Sequence, residues 1–171
     1  MDIFWKEIIW QQFGAAIAML ENALQICPDH LWRDNIWIDP TDAPEYTEFW
    51  FVVYHALSWM DLYLSGSKRE DFIPPAPFVK GKLPEEPYTK EQLQIYLSHC
   101  YQKCQTIFES LTDEKANQIC EFPWGEEVSF AELQIYNMRH VQEHAAQLSL
   151  HLGQKGVAAP DWVARAAHKY S

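Results

Sequence analysis

The sequence predicts an all-α fold, a four-helix bundle of up-down-down-up order with a long crossover between helices two and three. Three observations carry that expectation. Four stretches repeat apolar residues at three- and four-residue spacing, capping residues mark their starts, and a proline-rich interval separates the second from the third. A long connection lets two bundle helices run parallel, where a short one makes them antiparallel. With 171 residues, 48% hydrophobic and eight tryptophans, the chain reads as one domain over residues 1–171. A domain of this length buries roughly 70% of its unfolded surface.

The first helix is expected over Ile3–Ile26, where Ile9, Phe13, Ala16, Leu20 and Ala23 form one stripe and Pro28 forbids much continuation. The connection Cys27–Thr41 carries Trp32, Ile36, Trp37 and Ile38, so it should pack down on the bundle, with His30 as a turn residue. The second helix is expected to start near Asp42. Pro44 would lie in its first turn and Glu45 would complete a D-x-x-E cap. It runs to Gly66 and is apolar nearly all round, which fits either a central helix or a subunit interface of a homodimer. His55 shares a stripe there with Phe51, Ser58 and Leu62.

Residues Ser65–Tyr88 hold five prolines and two glycines and exclude a regular element. Phe72, Phe78 and Val79 are expected to anchor this crossover. Thr89 and Gln92 make a capping box for the third helix, whose inner face carries Leu93, Tyr96, Leu97, Cys100, Cys104, Ile107 and Leu111. His99 falls just off that face. Residues 112–128 contain a Pro-Trp-Gly turn and predict a small hairpin or an irregular loop. The fourth helix opens on the S-x-x-E box of Ser129 and Glu132 and stops at Gly156, with Lys155 in its last turn. Its inward stripe is Leu133, Tyr136, Asn137, His140, His144, Gln147, Leu148 and His151. A final turn is expected over Trp162–Ala167, and His168 beyond it is incidental.

The formal net charge of −11 opposes nucleic-acid binding, which needs clustered Lys and Arg, and opposes docking on anionic lipid. No window offers about 18 uninterrupted apolar residues, and the start lacks a basic n-region, so no membrane span and a cytoplasmic location are expected. Four cysteines without a C-x-x-C spacing fit reduced thiols. Cys100 and Cys104 share a helical face near His99, which allows a soft-metal or redox role, but buried free thiols are the commoner outcome.

His140 and His144 stand four residues apart, about 40° and about 6 Å from one another along one face. Together with His55 they form a candidate set of three neutral nitrogen ligands, which leaves a coordination position for water or substrate. The chemistry implied is activation of a nucleophile or polarisation of a carbonyl. Glu143, Tyr54 and Tyr136 are candidates to orient groups or move protons. His140-Val-Gln-Glu-His144 also matches the H-x-x-E-H of inverted zinc peptidases. Those need a further acidic ligand far downstream, and only 27 residues follow His144. Glu143 projects about 100° from His144 on a helix. The peptidase reading is rejected.

The phrases WFVVYHALSWMDLYL, FIPPAPF and ELQIYNMRHVQEHAAQLSLHLGQ together resemble the DinB-like (YfiT-like) superfamily of metal-binding four-helix bundles. The resemblance covers nearly the whole chain and is most specific at the helix-two histidine combined with H-x-x-x-H. It implies the up-down-down-up bundle and a divalent ion, zinc or nickel, on His55, His140 and His144. Characterised relatives include S-transferases that use bacillithiol, mycothiol or glutathione, and a thiol-dependent maleylpyruvate isomerase. The expectation is therefore a small-molecule enzyme, foremost a low-molecular-weight-thiol S-transferase. A metal-dependent hydrolase and a non-catalytic metal-binding module are the alternatives. Near the motif the sequence shows Arg139 but no basic cluster to hold a thiol's carboxylates.

Overall fold

The computed structural model describes residues 3–80, 82–158 and 160–166. In chain order the elements are α1 (Ile3–Ile26), α2 (Phe49–Ser65), α3 (Lys90–Ser110), a single turn α4 (Asp113–Ala116), strands β1 (Ile119–Glu121) and β2 (Glu127–Ser129), and α5 (Phe130–Gln154). The four long helices make an all-α bundle. Among the described residues no helix is long and apolar enough to cross a membrane.

Packing follows the apolar stripes. α1 lies against α3 and α5, and α2 lies against the same two. On the α1–α3 seam Phe13 meets Phe108 edge-on at one end, while Gln94 bonds Glu21 and Lys90 donates to the Cys27 carbonyl near the other. On the α2–α5 seam Phe49 meets His151 at one end and Tyr63 accepts from Gln134 at the other. Both seams are antiparallel. α2 buries 13 of its 17 residues within the chain, so its all-round apolarity is consumed by the bundle's own core. The crossover lies over α2 and α3: Phe72 and Phe78 are buried, and Phe78 stacks on Tyr96 with centroids 4.2 Å apart.

α2 starts seven residues later than the sequence suggested. Pro44–Thr47 form a separate 3-10 turn, and Asp42 accepts from the adjacent Ala43 N–H instead of capping a helix. The reason lies in the preceding connection. Ile36 N–H donates to the Thr47 carbonyl, Phe49 N–H to Asp34 and Trp50 N–H to Trp32, a short antiparallel pairing that holds Glu48 extended. A helix cannot run through that residue. The Glu48 carboxylate is in turn gripped by Arg33 at 3.1 and 3.2 Å and by the Trp50 indole N–H.

The tail also departs from expectation. Instead of a helical turn, residues 160–166 lie along α1: Ala166 N–H donates to the Gln11 carbonyl, and Gln12 and Asn22 donate to Ala164 and Asp161. Its polar backbone finds partners on α1, so it has no need of its own helix. Gly14 makes this approach possible, because a Cβ there would stand 2.6 Å from the Ala166 Cβ. Ala167 and His168 lie outside the described residues.

Of the two options for residues 112–128, the hairpin forms. β1 and β2 pair antiparallel, Ile119 opposite Ser129, around the Pro-Trp-Gly turn with Gly125 at φ 90°. The hairpin carries Phe122 and Trp124, stacked 4.5 Å apart, and both rings abut Tyr136 of α5.

Candidate metal centre

The rotation of α5 against α2 decides which side chains meet. At its start Ser129 accepts from the Glu132 N–H. At its end Gly156, at φ 78°, donates to Gly153 while Val157 donates to Leu152, the paired bonds of a Schellman stop. Between these, two buried amides clamp the register. Gln134 donates to the Tyr63 carbonyl at 2.7 Å and Asn137 to the Met60 carbonyl at 3.2 Å. One and two turns beyond Asn137, on the same stripe, come His140 and His144. They therefore arrive opposite His55, more than a turn before Met60 on α2.

All three Nε2 atoms converge. His140 Nε2 lies 3.3 Å from His55 Nε2 and 3.0 Å from His144 Nε2, and the three ligand atoms fall within 4.8 Å of one another. Two nitrogens at ~2.0–2.1 Å from one ion stand roughly 2.9–3.4 Å apart at right-angled to tetrahedral geometry. The two spacings from His140 fit that range. His144 Nδ1–H donates to Gln147 Oε1 at 2.8 Å, which leaves the Nε2 lone pair facing the cluster. The His140 ring stacks on Tyr136 and meets Tyr63 edge-on, so the hairpin's aromatic pair backs it through Tyr136. His140 Nδ1 is buried with no hydrogen-bond partner among the described residues.

Burial, reinforced by the neighbouring imidazoles, pushes the His55 and His140 pKa values down to about 3. Burial lowers that of His144 as well, against the opposing pull of Gln147 and Glu143. The three rings are therefore neutral near pH 7, with lone pairs available to a cation.

Two cavities reach the group. One, of 290 Å³, runs between α2 and the crossover and is lined by His55, Trp59, Phe72, Arg69, Lys80 and Lys82 among others. The other, of 220 Å³, runs between α2 and the residue 37–47 connection and is lined by Trp37, Asp39, Asp42, His55 and His144 among others. The basic residues of the first cavity escaped the sequence reading. Their charges are visible in SKRED and VKGKL, but nothing local says which helix the crossover covers.

Other candidates fall elsewhere. Glu143 is exposed. The Tyr54 hydroxyl donates to the Val79 carbonyl of the crossover, and Tyr136 hydrogen-bonds Tyr63. Cys100 and Cys104 are fully buried, burial raises both thiols, and Cys100 Sγ donates to the Leu57 carbonyl. They are core residues. His99 stands 3.7 Å from Asp61, and His151 stands 3.0 Å from Asp34 at the far end of α5.

A family model described as the DinB superfamily matches residues 12–148, most of the chain and all three histidines. The chain belongs to the DinB superfamily. No curated protein matches it. In this DinB-superfamily chain the three-histidine group can hold a metal ion: the donors are neutral, convergent and backed by Gln147 and Tyr136. Among the described residues no carboxylate or thiol joins them as a further ligand.

Proposed function

We propose that this DinB-superfamily chain is a metal-dependent low-molecular-weight-thiol S-transferase, with a divalent zinc or nickel ion held by His55, His140 and His144. One observation carries the proposal: His140 Nε2 stands 3.3 Å from that of His55 and 3.0 Å from that of His144, the three neutral donors fall within 4.8 Å beside two cavities, and no carboxylate or thiol joins them among the described residues. Imidazole donors suit zinc and nickel and suit magnesium or calcium poorly. An ion bound by neutral donors keeps its full charge and holds a thiol brought to it as thiolate.

The chain's own groups supply the rest. Gln147 fixes the His144 ring, and Tyr136 with Tyr63 fixes that of His140. Phe51 and Trp59 line the cavity beside His55 and give an electrophile with an apolar body a dry wall. In the transfer, the sulfur electron pair forms a carbon–sulfur bond, the leaving group departs with its bonding pair, and the thiol proton passes to solvent. A thiol is favoured over water as nucleophile because thiolate is the softer donor and suits a zinc ion. Four free cysteines accord with the cytoplasm, where such thiols are kept reduced.

The test is a screen of zinc- and nickel-loaded protein with glutathione, bacillithiol and mycothiol against an activated aryl halide. Turnover that needs both metal and thiol, and that His140→Ala abolishes, is expected. Turnover of activated esters without any thiol, and none with it, would replace transfer by hydrolysis.

A further inference from the structure

The chain carries 24 acidic and 13 basic residues, yet the larger cavity gathers three cations and no carboxylate among its lining residues. Arg69, Lys80 and Lys82 come from two arms of the crossover. Lys80 Nζ ties those arms together by donating to the carbonyls of Arg69 at 2.6 Å and Glu70 at 2.9 Å. The Arg69 guanidinium stands 5.2 Å above the Trp59 ring, which orients its fork. Among the described residues none of the three forms a salt bridge with a carboxylate, although Arg33, Lys68, Lys90, Lys103 and Lys155 all do.

A cationic mouth on an acidic protein concentrates anions locally against the sign of the whole. Its walls are aromatic, and it reaches His55. The second cavity, which also reaches His55, has Asp39 and Asp42 instead. The two approaches to the histidines thus differ in sign.

We infer that the crossover cavity binds a carboxylate-bearing small molecule, its carboxylates held by Arg69, Lys80 and Lys82 and its reacting end directed at the histidine group. Resting on the S-transferase reading, this assigns the carboxylates to the thiol substrate and leaves the acidic side for its partner. Arginine takes a carboxylate by two parallel N–H bonds, and the lysines add point charge. Each such contact is exposed, so several must act together and salt must weaken them.

Calorimetric titrations of zinc-loaded protein with mercaptosuccinate, succinate, 2-mercaptoethanol and inorganic phosphate test the inference. Wild type is expected to bind mercaptosuccinate and, more weakly, succinate. The variant Arg69→Gln/Lys80→Gln/Lys82→Gln, with unchanged helicity, should lose at least tenfold affinity for both dicarboxylates and none for 2-mercaptoethanol. Dicarboxylate affinity equal in wild type and triple variant, no dicarboxylate binding to wild type, or phosphate binding as tight as succinate would each overturn it. His144→Ala separates the two proposals: succinate that still binds the metal-free variant supports the anion site even if the metal reading fails.

Discussion

Gln147 Oε1 lies 2.8 Å from His144 Nδ1, one helical turn along α5. This contact fixes which nitrogen of His144 carries the proton, and so which one faces His140 and His55. Gln147→Ala should lower zinc or nickel affinity about 10–100-fold with helicity unchanged, as loss of such a partner does at other histidine metal sites. Competition with a chromophoric chelator measures it, and an unchanged affinity would deny the contact that role.

Asn137 anchors the register on which the cluster depends. Replacing it by Ala leaves the buried Met60 carbonyl without this donor, at a cost of about 1–3 kcal/mol in urea unfolding. Because the same clamp aims His140, metal affinity should fall along with stability. A variant as stable as wild type would show that the bundle needs no such clamp.

Acid should destabilise the metal-free protein. The ordinary histidine pKa is 6.5, and burial lowers those of His55 and His140 to about 3. Below pH 6.5 the unfolded chain takes up protons that the folded chain refuses, so stability rises with pH across this window. The contribution is complete above about pH 6.5 and drains away as pH falls toward 3. Thermal melts of metal-free protein at pH 7 and pH 5 should show the midpoint lower at pH 5, on the order of 5 °C or more. A flat profile would mean that the rings are not desolvated.

Gly14 tests the strapped tail. Glycine to alanine inside a helix ordinarily gains roughly 0.5–1 kcal/mol. Here the new methyl would meet Ala166 Cβ at 2.6 Å, so Gly14→Ala should release the tail. Faster tryptic cleavage after Arg165 is the readout; unchanged cleavage together with a higher melting point would contradict the packing.

Much of this was legible in the residues themselves. The Thr89–Gln92 box forms in both directions, and Gly156 takes the left-handed stop, because caps are local chemistry. The histidine group was legible because α-helical spacing puts His140 and His144 on one face and His55 on the inner stripe of α2. The start of α2 was not: a D-x-x-E cap was outbid by pairing with residues 32–36, a contact the local pattern does not encode. The tail's course on α1 depends on a glycine whose purpose is visible only in three dimensions. The cationic cavity stayed hidden for the same reason, since Arg69 and Lys80 meet through the path of an irregular crossover.

Elemental analysis of untagged protein, wild type beside His144→Ala, bears most directly on the three-histidine centre. The expected result is close to one equivalent of zinc or nickel in wild type and its loss in the variant. Wild type that takes up neither metal on incubation, or a variant that keeps a full equivalent, would contradict the assignment of His55, His140 and His144 as the ligand set.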